Sequence, residues 1–207
     1  MRGCITLQRP TLFGARLHIH WSALVAAGIL LGALARQPVQ ALVAVACYFG
    51  VILLHEAGHA YLAKRLGWAP ENITIAFLHG VCQYQQPDNL KDEATIAWGG
   101  VLAQLAVAIP LIVLSQTTPL GTLPPVAIVV SAFGYFSLTM ALMNLAPARG
   151  LDGATAWRLI PILVRERRSK KAAQDVLRRF KRCSRSRATP RSLPPRGNAS
   201  GRLQRVA

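Results

Sequence analysis

Four long apolar stretches constrain the fold of this 207-residue chain more than any other feature. A membrane-spanning helix needs about 20 apolar residues, because a hydrocarbon core of roughly 30 Å is crossed at about 1.5 Å per residue. The second, third and fourth stretches meet this length, and the first is shorter. The stretches cover Trp21 to Ala35, Val39 to Leu54 continuing to Leu66, Ala94 to Leu114, and Pro125 to Leu145. We therefore predict an all-α polytopic membrane protein with about four transmembrane helices.

The first apolar stretch allows a second interpretation. Arginines precede it and it ends in Ala33-Leu34-Ala35, so it also resembles a secretory signal peptide. We favour a short span that is retained. Cleavage would leave the predicted direction of the later spans unchanged.

Basic residues are concentrated near the C-terminus. The chain has 24 Lys and Arg against 8 Asp and Glu, a net charge of +16, and 15 of the basic residues follow Val164. Cytoplasmic flanks carry an excess of Lys and Arg, so we expect both termini to be cytoplasmic. Beyond a short helix to Phe180, Ser, Arg, Pro and Gly dominate, which is typical of disorder. We predict a cytoplasmic N-terminal segment (1–20), a membrane-embedded core (21–164) and a basic, largely disordered cytoplasmic tail (165–207).

The basic tail predicts a partner. Lys and Arg next to a membrane are attracted to anionic lipid at about 1 kcal/mol per charge close to the surface. Nothing in the sequence favours nucleic acid, since the tail has no interleaved aromatic residues and no recognisable nucleic-acid-binding fold. Anionic lipid is thus the expected partner of the tail.

The second apolar stretch contains the pattern H-E-x-x-H within GVILLHEAGHAYLAKRL. On a helix, His55 and His59 lie one turn apart on one face, where two imidazoles can hold one zinc ion. Glu56 can reach a water on that metal and take its proton as the water attacks a peptide carbonyl. His55 lies roughly 24 Å along a helix from Val39, inside the hydrocarbon toward its cytoplasmic edge. At that depth ionisable groups should face a polar cavity or a metal.

A third metal ligand is required, and Asp or Glu is a usual supplier. Asp152 follows the fourth stretch closely enough to fold back beside the cytoplasmic end of the second. Asp92 and Glu93 instead resemble the cap and first turn of the third helix. We therefore predict one zinc ion per chain held by His55, His59 and Asp152, although the ligand types alone would admit other divalent metals.

Two motifs together resemble the site-2 protease family of intramembrane metalloproteases. HEAGH at 55–59 and NLAPARGLDG at 144–153, which is N-x-x-P-x-x-x-L-D-G, match without a gap and in the expected order. The resemblance extends loosely from about His18 to Leu163. It implies zinc bound by the two His and the LDG aspartate, a glutamate that activates water, and a transmembrane segment as substrate. It also implies that Asn144 borders the substrate cleft, where its amide could hold a strained carbonyl; a helix C-cap is the alternative.

The chain departs from the family pattern in the third helix. The family often has G-P-x-x-N there, whereas this chain reads GVLAQ at 100–104. Gln104 can still donate an amide to a substrate carbonyl, but its longer side chain puts that position in doubt. An interhelical polar contact is the alternative for Gln104.

Residues between the second and third stretches resemble another feature of the family. ITIAFLHGVCQYQ alternates like a strand pair and matches a short membrane-associated β-hairpin, whose exposed strand could pair with an unwound substrate. We interpret His79 as a turn residue. His18 and His20, beside Trp21, are expected to anchor the chain at the interface and are left out of the metal site.

The sequence therefore predicts an intramembrane zinc endopeptidase that cuts peptide bonds in or near transmembrane segments of membrane-protein substrates. The alternative is a metal-binding membrane scaffold or transporter without proteolytic activity. Glu56 favours the enzyme, because a scaffold or transporter needs ligands but no general base beside the metal.

Overall fold

Helices dominate the structure, a computed structural model that describes residues 4–77, 79–119 and 123–188. The helices are α1 (Trp21–Ala33), α2 (Pro38–Arg65), α3 (Leu90–Thr117), α4 (Pro124–Val129), α5 (Ser137–Asn144), α6 (Gly153–Ala156) and α7 (Leu159–Ala188). A π-helical segment (Val130–Phe136) joins α4 to α5, so that Pro124–Asn144 runs as one continuous helical stretch.

Three helical stretches within the described residues are long and apolar enough to cross a membrane: α2, α3 and Pro124–Asn144. These correspond to the second, third and fourth predicted spans. The first predicted span is α1, which has only 13 residues. Such a helix is about 20 Å long, less than the hydrocarbon thickness. The expected number of about four thus becomes three full-length candidates and one short apolar helix.

The β-structure is larger than the expected hairpin. Its strands are β1 (Cys4–Leu12), β2 (Ala15–His20), β3 (Pro70–Ile75) and β4 (Gly80–Tyr84), in that order across one sheet. The β3–β4 pair is the predicted hairpin, and it is antiparallel. The N-terminal segment adds β1 and β2 to it, with β2 parallel to β3. The sequence did not indicate this addition, because the pairing joins residues more than 50 positions apart.

The sheet packs on α2 through small side chains. Ala15 of β2 and Ile73 of β3 form a fully buried cluster with Ala60 of α2. A second cluster joins Ala23 of α1 to Ile52 and Ile75. The N-terminal segment and α1 are therefore part of the same core as α2.

Helices α2 and α3 approach each other at two glycines. A Cβ atom added to Gly58 would lie 2.2 Å from the carbonyl oxygen of Gly99, and one added to Gly99 would lie 2.4 Å from that of Gly58. Neither position tolerates a larger residue without separating the helices. Close approach through small residues is a usual way for helices to pack in membranes.

The chain divides into two compact units at Ile162/Leu163. Helix α7 is regular to Ala188, so it is longer than the short helix expected to end at Phe180. Helix formers such as Arg, Lys, Ala and Leu dominate this region, and no Pro or Gly occurs between Pro161 and Pro190. The rest of the predicted disordered tail, 189–207, lies outside the described residues.

Candidate metal centre

Three side chains converge where α2 meets the loop after α5. The Nε2 atoms of His55 and His59 are 3.1 Å apart, and Oδ2 of Asp152 lies 3.0 Å from the first and 3.3 Å from the second. These separations match the edges of a tetrahedron around a zinc ion, which are about 3.3 Å long for ligand bonds of about 2.0 Å. The structure thus brings together the three predicted metal ligands.

Hydrogen bonds fix the orientation of both imidazoles. Nδ1 of His59 lies 2.8 Å from the carbonyl oxygen of Ile96, and Nδ1 of His55 lies 2.9 Å from Oε1 of Gln104. Both partners are acceptors, so the neutral rings carry their proton on Nδ1. The lone pair of each Nε2 therefore points at the shared centre, as metal ligation requires.

The electron-rich atoms of this cluster need a cation between them. With both ring protons on Nδ1, the two Nε2 atoms and Oδ2 of Asp152 face each other with lone pairs only, and Oδ2 is buried without a hydrogen-bond donor. A cation bound between these atoms would keep the Asp152 carboxyl ionised, as a metal ligand has to be. This donor set of two imidazoles and a carboxylate fits a divalent metal such as zinc.

Glycine makes room for the two histidines. A Cβ atom added to Gly100 of α3 would lie 2.5 Å from Cε1 of His55 and 2.6 Å from Nε2 of His59. Sequence reasoning mentioned Gly100 only as part of a family pattern. Its function here is steric, and the signal that could have found it is the glycine pair in the predicted third helix.

Tryptophans hold the loop that carries Asp152. Nε1 of Trp157 donates a 2.6 Å hydrogen bond to the carbonyl oxygen of Leu145, and Nε1 of Trp98 on α3 donates one of 3.0 Å to that of Ala156. The two indole rings also pack edge to face. At Gly153, a Cβ atom would lie 2.3 Å from the Leu145 carbonyl oxygen, which explains the glycine of the LDG motif. The loop is thus tied to both α3 and the end of α5.

The β3–β4 hairpin covers the predicted general base. Glu56 is only 4% exposed, and a Cβ atom added to Gly80 would lie 2.4 Å from its Cγ. The backbone of Cys82 hydrogen-bonds the Glu56 carboxylate. Nearer the N-terminus of α2, the hydroxyl of Tyr48 donates hydrogen bonds to backbone carbonyls of the hairpin turn. The hairpin is therefore held against α2 at two points, one of which is the glutamate.

A cavity of about 710 Å³ opens onto the three ligands and Glu56. Apolar side chains line much of it, and Asn144, His79 and Tyr84 contribute polar groups. The apolar lining includes Ile52, Val81, Met140, Met143 and Leu151. Burial, and then the charges of Cys82, Glu93 and Asp152, raise the pKa of Tyr84 to about 12, so its phenol stays protonated and remains a hydrogen-bond donor. Sequence reasoning did not single out Tyr84.

The two residues that the sequence offers as substrate-binding groups, Asn144 and Gln104, occupy different positions. Nδ2 of Asn144, the last residue of α5, lies 3.4 Å from Nε2 of His55 and lines the cavity. Gln104 is fully buried and is not among the cavity-lining residues; its contact is with the far side of the His55 ring. The interhelical polar contact, which the sequence left open as the alternative for Gln104, is the one present.

The remaining histidines lie outside the cluster. Nε2 of His18 is 3.0 Å from Oδ1 of Asn72 in the neighbouring strand, and His20 caps the N-terminus of α1 through Ser22. Neither belongs to the group of potential metal ligands found among the described residues. His79 lies in the hairpin turn, as expected, and borders the cavity.

Comparisons with known proteins support the fold. No protein-family model and no curated protein matches the chain. Among solved structures, the chain is similar to a site-2 protease from Methanocaldococcus jannaschii, with a TM-score of 0.57 and 22% sequence identity over 76% of this chain and 71% of that chain. The likeness shows that the chain has the polytopic helical fold of a site-2 protease, which confirms the fold expected from the two motifs.

Proposed function

We propose that this protein is an intramembrane zinc endopeptidase that hydrolyses peptide bonds in or near transmembrane segments of other membrane proteins. The observation that carries the proposal is the buried glutamate beside a three-ligand centre. Glu56 neighbours His55 on α2 and opens onto the same cavity as both histidines and Asp152. A metal site for transport or scaffolding needs the ligands, but it has no use for a carboxylate held next to them.

The chain's own residues divide the proposed chemistry between them. Zinc held by His55, His59 and Asp152 would supply Lewis acidity toward the peptide carbonyl and the attacking water. Glu56 accepts a proton from the water and returns it to the leaving amine. The amide of Asn144 donates a hydrogen bond to the carbonyl oxygen as negative charge develops there.

An extended substrate is the form that fits the cavity. The peptide bonds of a helix are occupied by its internal hydrogen bonds, so a transmembrane segment must unwind before it is cut. Strand β4 is the last in the order of the sheet among the described residues, and four of its residues line the cavity: Gly80, Val81, Cys82 and Tyr84. Its outer edge can pair with an unwound substrate strand.

The proposed site lies within the bilayer toward the cytoplasmic side, with both termini cytoplasmic. Lys64 and Arg65 occupy the last turn of α2, which follows His59 directly, and basic residues favour the cytoplasmic face. The pairing of β2 with β3 supports this arrangement, because it brings the residues before α1 to the same end of α2 as those after it.

The test is cleavage of a panel of single-span reporters in reconstituted membranes, comparing the native protein with Glu56→Gln and measuring bound metal in both. We expect the native protein to cleave a reporter and the variant to lose cleavage while it keeps about one zinc per chain. Tyr61→Phe, an exposed change on the same helix, is the control and should cleave normally.

Two other outcomes would count against the proposal. Cleavage that survives in Glu56→Gln would remove the glutamate from the reaction. If both forms bind zinc and neither cleaves any reporter, including segments destabilised by helix-breaking residues, the scaffold or transporter function is favoured instead.

A further inference from the structure

Helix α7 continues far beyond the residues that the proposed chemistry uses. Between Leu159 and Ala188 it carries eleven Lys and Arg against two acids, Glu166 and Asp175, a net charge of +9. Its side chains from Arg167 to Phe180 are exposed. A solvated basic helix of this composition has no need of large apolar side chains.

Large apolar side chains nevertheless occur together on it. Val176, Leu177 and Phe180 are 65%, 60% and 74% exposed. Positions i, i+1 and i+4 share one face of an α-helix, and Ala173 extends the same stripe by one turn. Lys171 and Arg178 fall on the opposite face. The helix is thus amphipathic over about two turns, from Ala173 to Phe180, which the composition of the tail alone did not reveal.

This pattern is that of a helix lying in a membrane interface. Such helices combine an apolar face containing Phe or Leu with a polar face rich in Lys and Arg, and anionic lipid adds electrostatic attraction. The chain itself brings α7 to a membrane, because its first unit contains three helical stretches that can span one. The basic charge of α7 and its exposed apolar side chains therefore both indicate a membrane surface as its binding partner.

We propose that residues 169–180 of α7 bind the surface of an anionic bilayer, with Val176, Leu177 and Phe180 inserted at the boundary between headgroups and acyl chains. The Lys and Arg side chains on the opposite face of the helix contact the lipid phosphates. This binding is independent of proteolysis and does not require the metal centre.

Spin labels on the full-length protein test the proposal. In a background with Cys4, Cys47, Cys82 and Cys183 changed to Ser, one label is placed at Leu177→Cys and a matched one at Arg178→Cys. Each protein is reconstituted into phosphatidylcholine vesicles with and without phosphatidylglycerol. The readout is the collision rate of each label with oxygen, which concentrates in lipid, and with a water-soluble nickel chelate.

We expect the label at residue 177 to be severalfold more accessible to oxygen than to nickel in anionic vesicles, and the label at residue 178 to show the reverse. Removing charge by Lys170→Gln, Lys171→Gln, Arg178→Gln and Arg179→Gln, with the label kept at residue 177, should abolish its protection from nickel. High salt should reduce the protection in the parent protein.

Three results would overturn the proposal. Equal exposure of both labels to nickel in anionic vesicles would show that the helix stays in water. Protection that is the same in neutral vesicles would remove the role of anionic lipid. Protection of the label at residue 177 from oxygen as well as from nickel would assign the apolar face to a protein contact.

Discussion

Oε1 of Gln104 lies 2.9 Å from Nδ1 of His55, across the interface between α3 and α2. The hydrogen bond selects the His55 tautomer whose Nε2 lone pair faces His59 and Asp152. A polar residue in the third helix thereby acts on the metal centre without reaching the cavity. Gln104 is therefore a positioning residue that orients His55, one of the proposed metal ligands.

Loss of this acceptor should weaken metal binding. We expect Gln104→Leu to reduce zinc affinity by about 10–100-fold, because the ring loses the contact that fixes its tautomer and orientation. Competition with a chromophoric chelator measures the affinity in detergent. Gln104→Glu keeps an acceptor and should bind zinc more tightly than the leucine variant. Gln116→Leu, an exposed change in the same helix, is the control, and equal losses in both leucine variants would contradict the role.

A single methyl group at Gly100 should displace the ligands. Because a Cβ atom there would lie 2.5–2.7 Å from three ring atoms of His55 and His59, Gly100→Ala is expected to lower bound zinc well below one per chain. Metal content after gel filtration measures this. Gly28→Ala provides the matched control, since nothing lies within 4 Å of its added Cβ. Full zinc occupancy in folded Gly100→Ala protein would refute the steric argument.

A methyl group at Gly80 should separate metal binding from catalysis. The three atoms nearest to the added Cβ atom would all belong to Glu56: Cγ, Oε1 and Cδ. We therefore expect Gly80→Ala to keep its zinc and to lose most of its kcat in reporter cleavage. Gly32→Ala, at an open position in α1, should have no effect on either quantity. Normal kcat in Gly80→Ala would mean that the hairpin does not hold the general base.

The thiol of Cys82 should react slowly with alkylating agents. Burial, and secondarily the charge of Glu56, raise its pKa to about 12. Relative to an ordinary thiol of pKa about 8.5, the thiolate fraction near pH 8 falls by roughly a thousandfold. A variant with Cys82 as its sole cysteine should be alkylated at least about a hundredfold faster once unfolded in denaturant.

The variant Glu56→Gln tests whether the charge of Glu56 contributes to the raised pKa of Cys82. Glu56→Gln removes the negative charge that opposes ionisation of the thiol, so the pKa of Cys82 should fall and alkylation of the folded protein should accelerate. Burial remains, so the rate should stay below that of the unfolded chain. A slower rate in Glu56→Gln would contradict the electrostatic cause.

The sequence predicted those parts of the site that depend on local spacing. His55 and His59 share a face because four residues make about one helical turn. Asp152 could be chosen because few acids follow a span closely. For Gln104 the sequence leaves a substrate contact and an interhelical polar contact open and does not identify His55, because spacing within one helix does not reveal which side chain of another helix it meets.

The parts of the fold that the sequence did not predict arise from contacts between distant residues. Helix α1 and the hairpin were visible as local patterns. The pairing of β2 with β3 depends on Arg16 meeting Asn72 and Ile19 meeting Ile75, and no alternation within either strand specifies its partner. The end of α7 at Ala188 differs from the expected end at Phe180 for another reason: Ser, Arg, Pro and Gly dominate the sequence beyond Phe180, but the Pro and Gly come only after residue 188 and Arg is a good helix former.

The parallel pairing of β2 with β3 also imposes an order on biogenesis. Residues 16–19 leave the ribosome before α1 and α2, and their partners at 72–75 follow both helices. The two strands meet on one side of the membrane only after this pair of helices has been inserted. Until then β2 is paired with β1 on one side only, and its other edge is the kind that can associate with other chains. The hairpin that covers Glu56 therefore completes its sheet late, so the proposed general base is enclosed only after the strands and helices that precede the hairpin are in place.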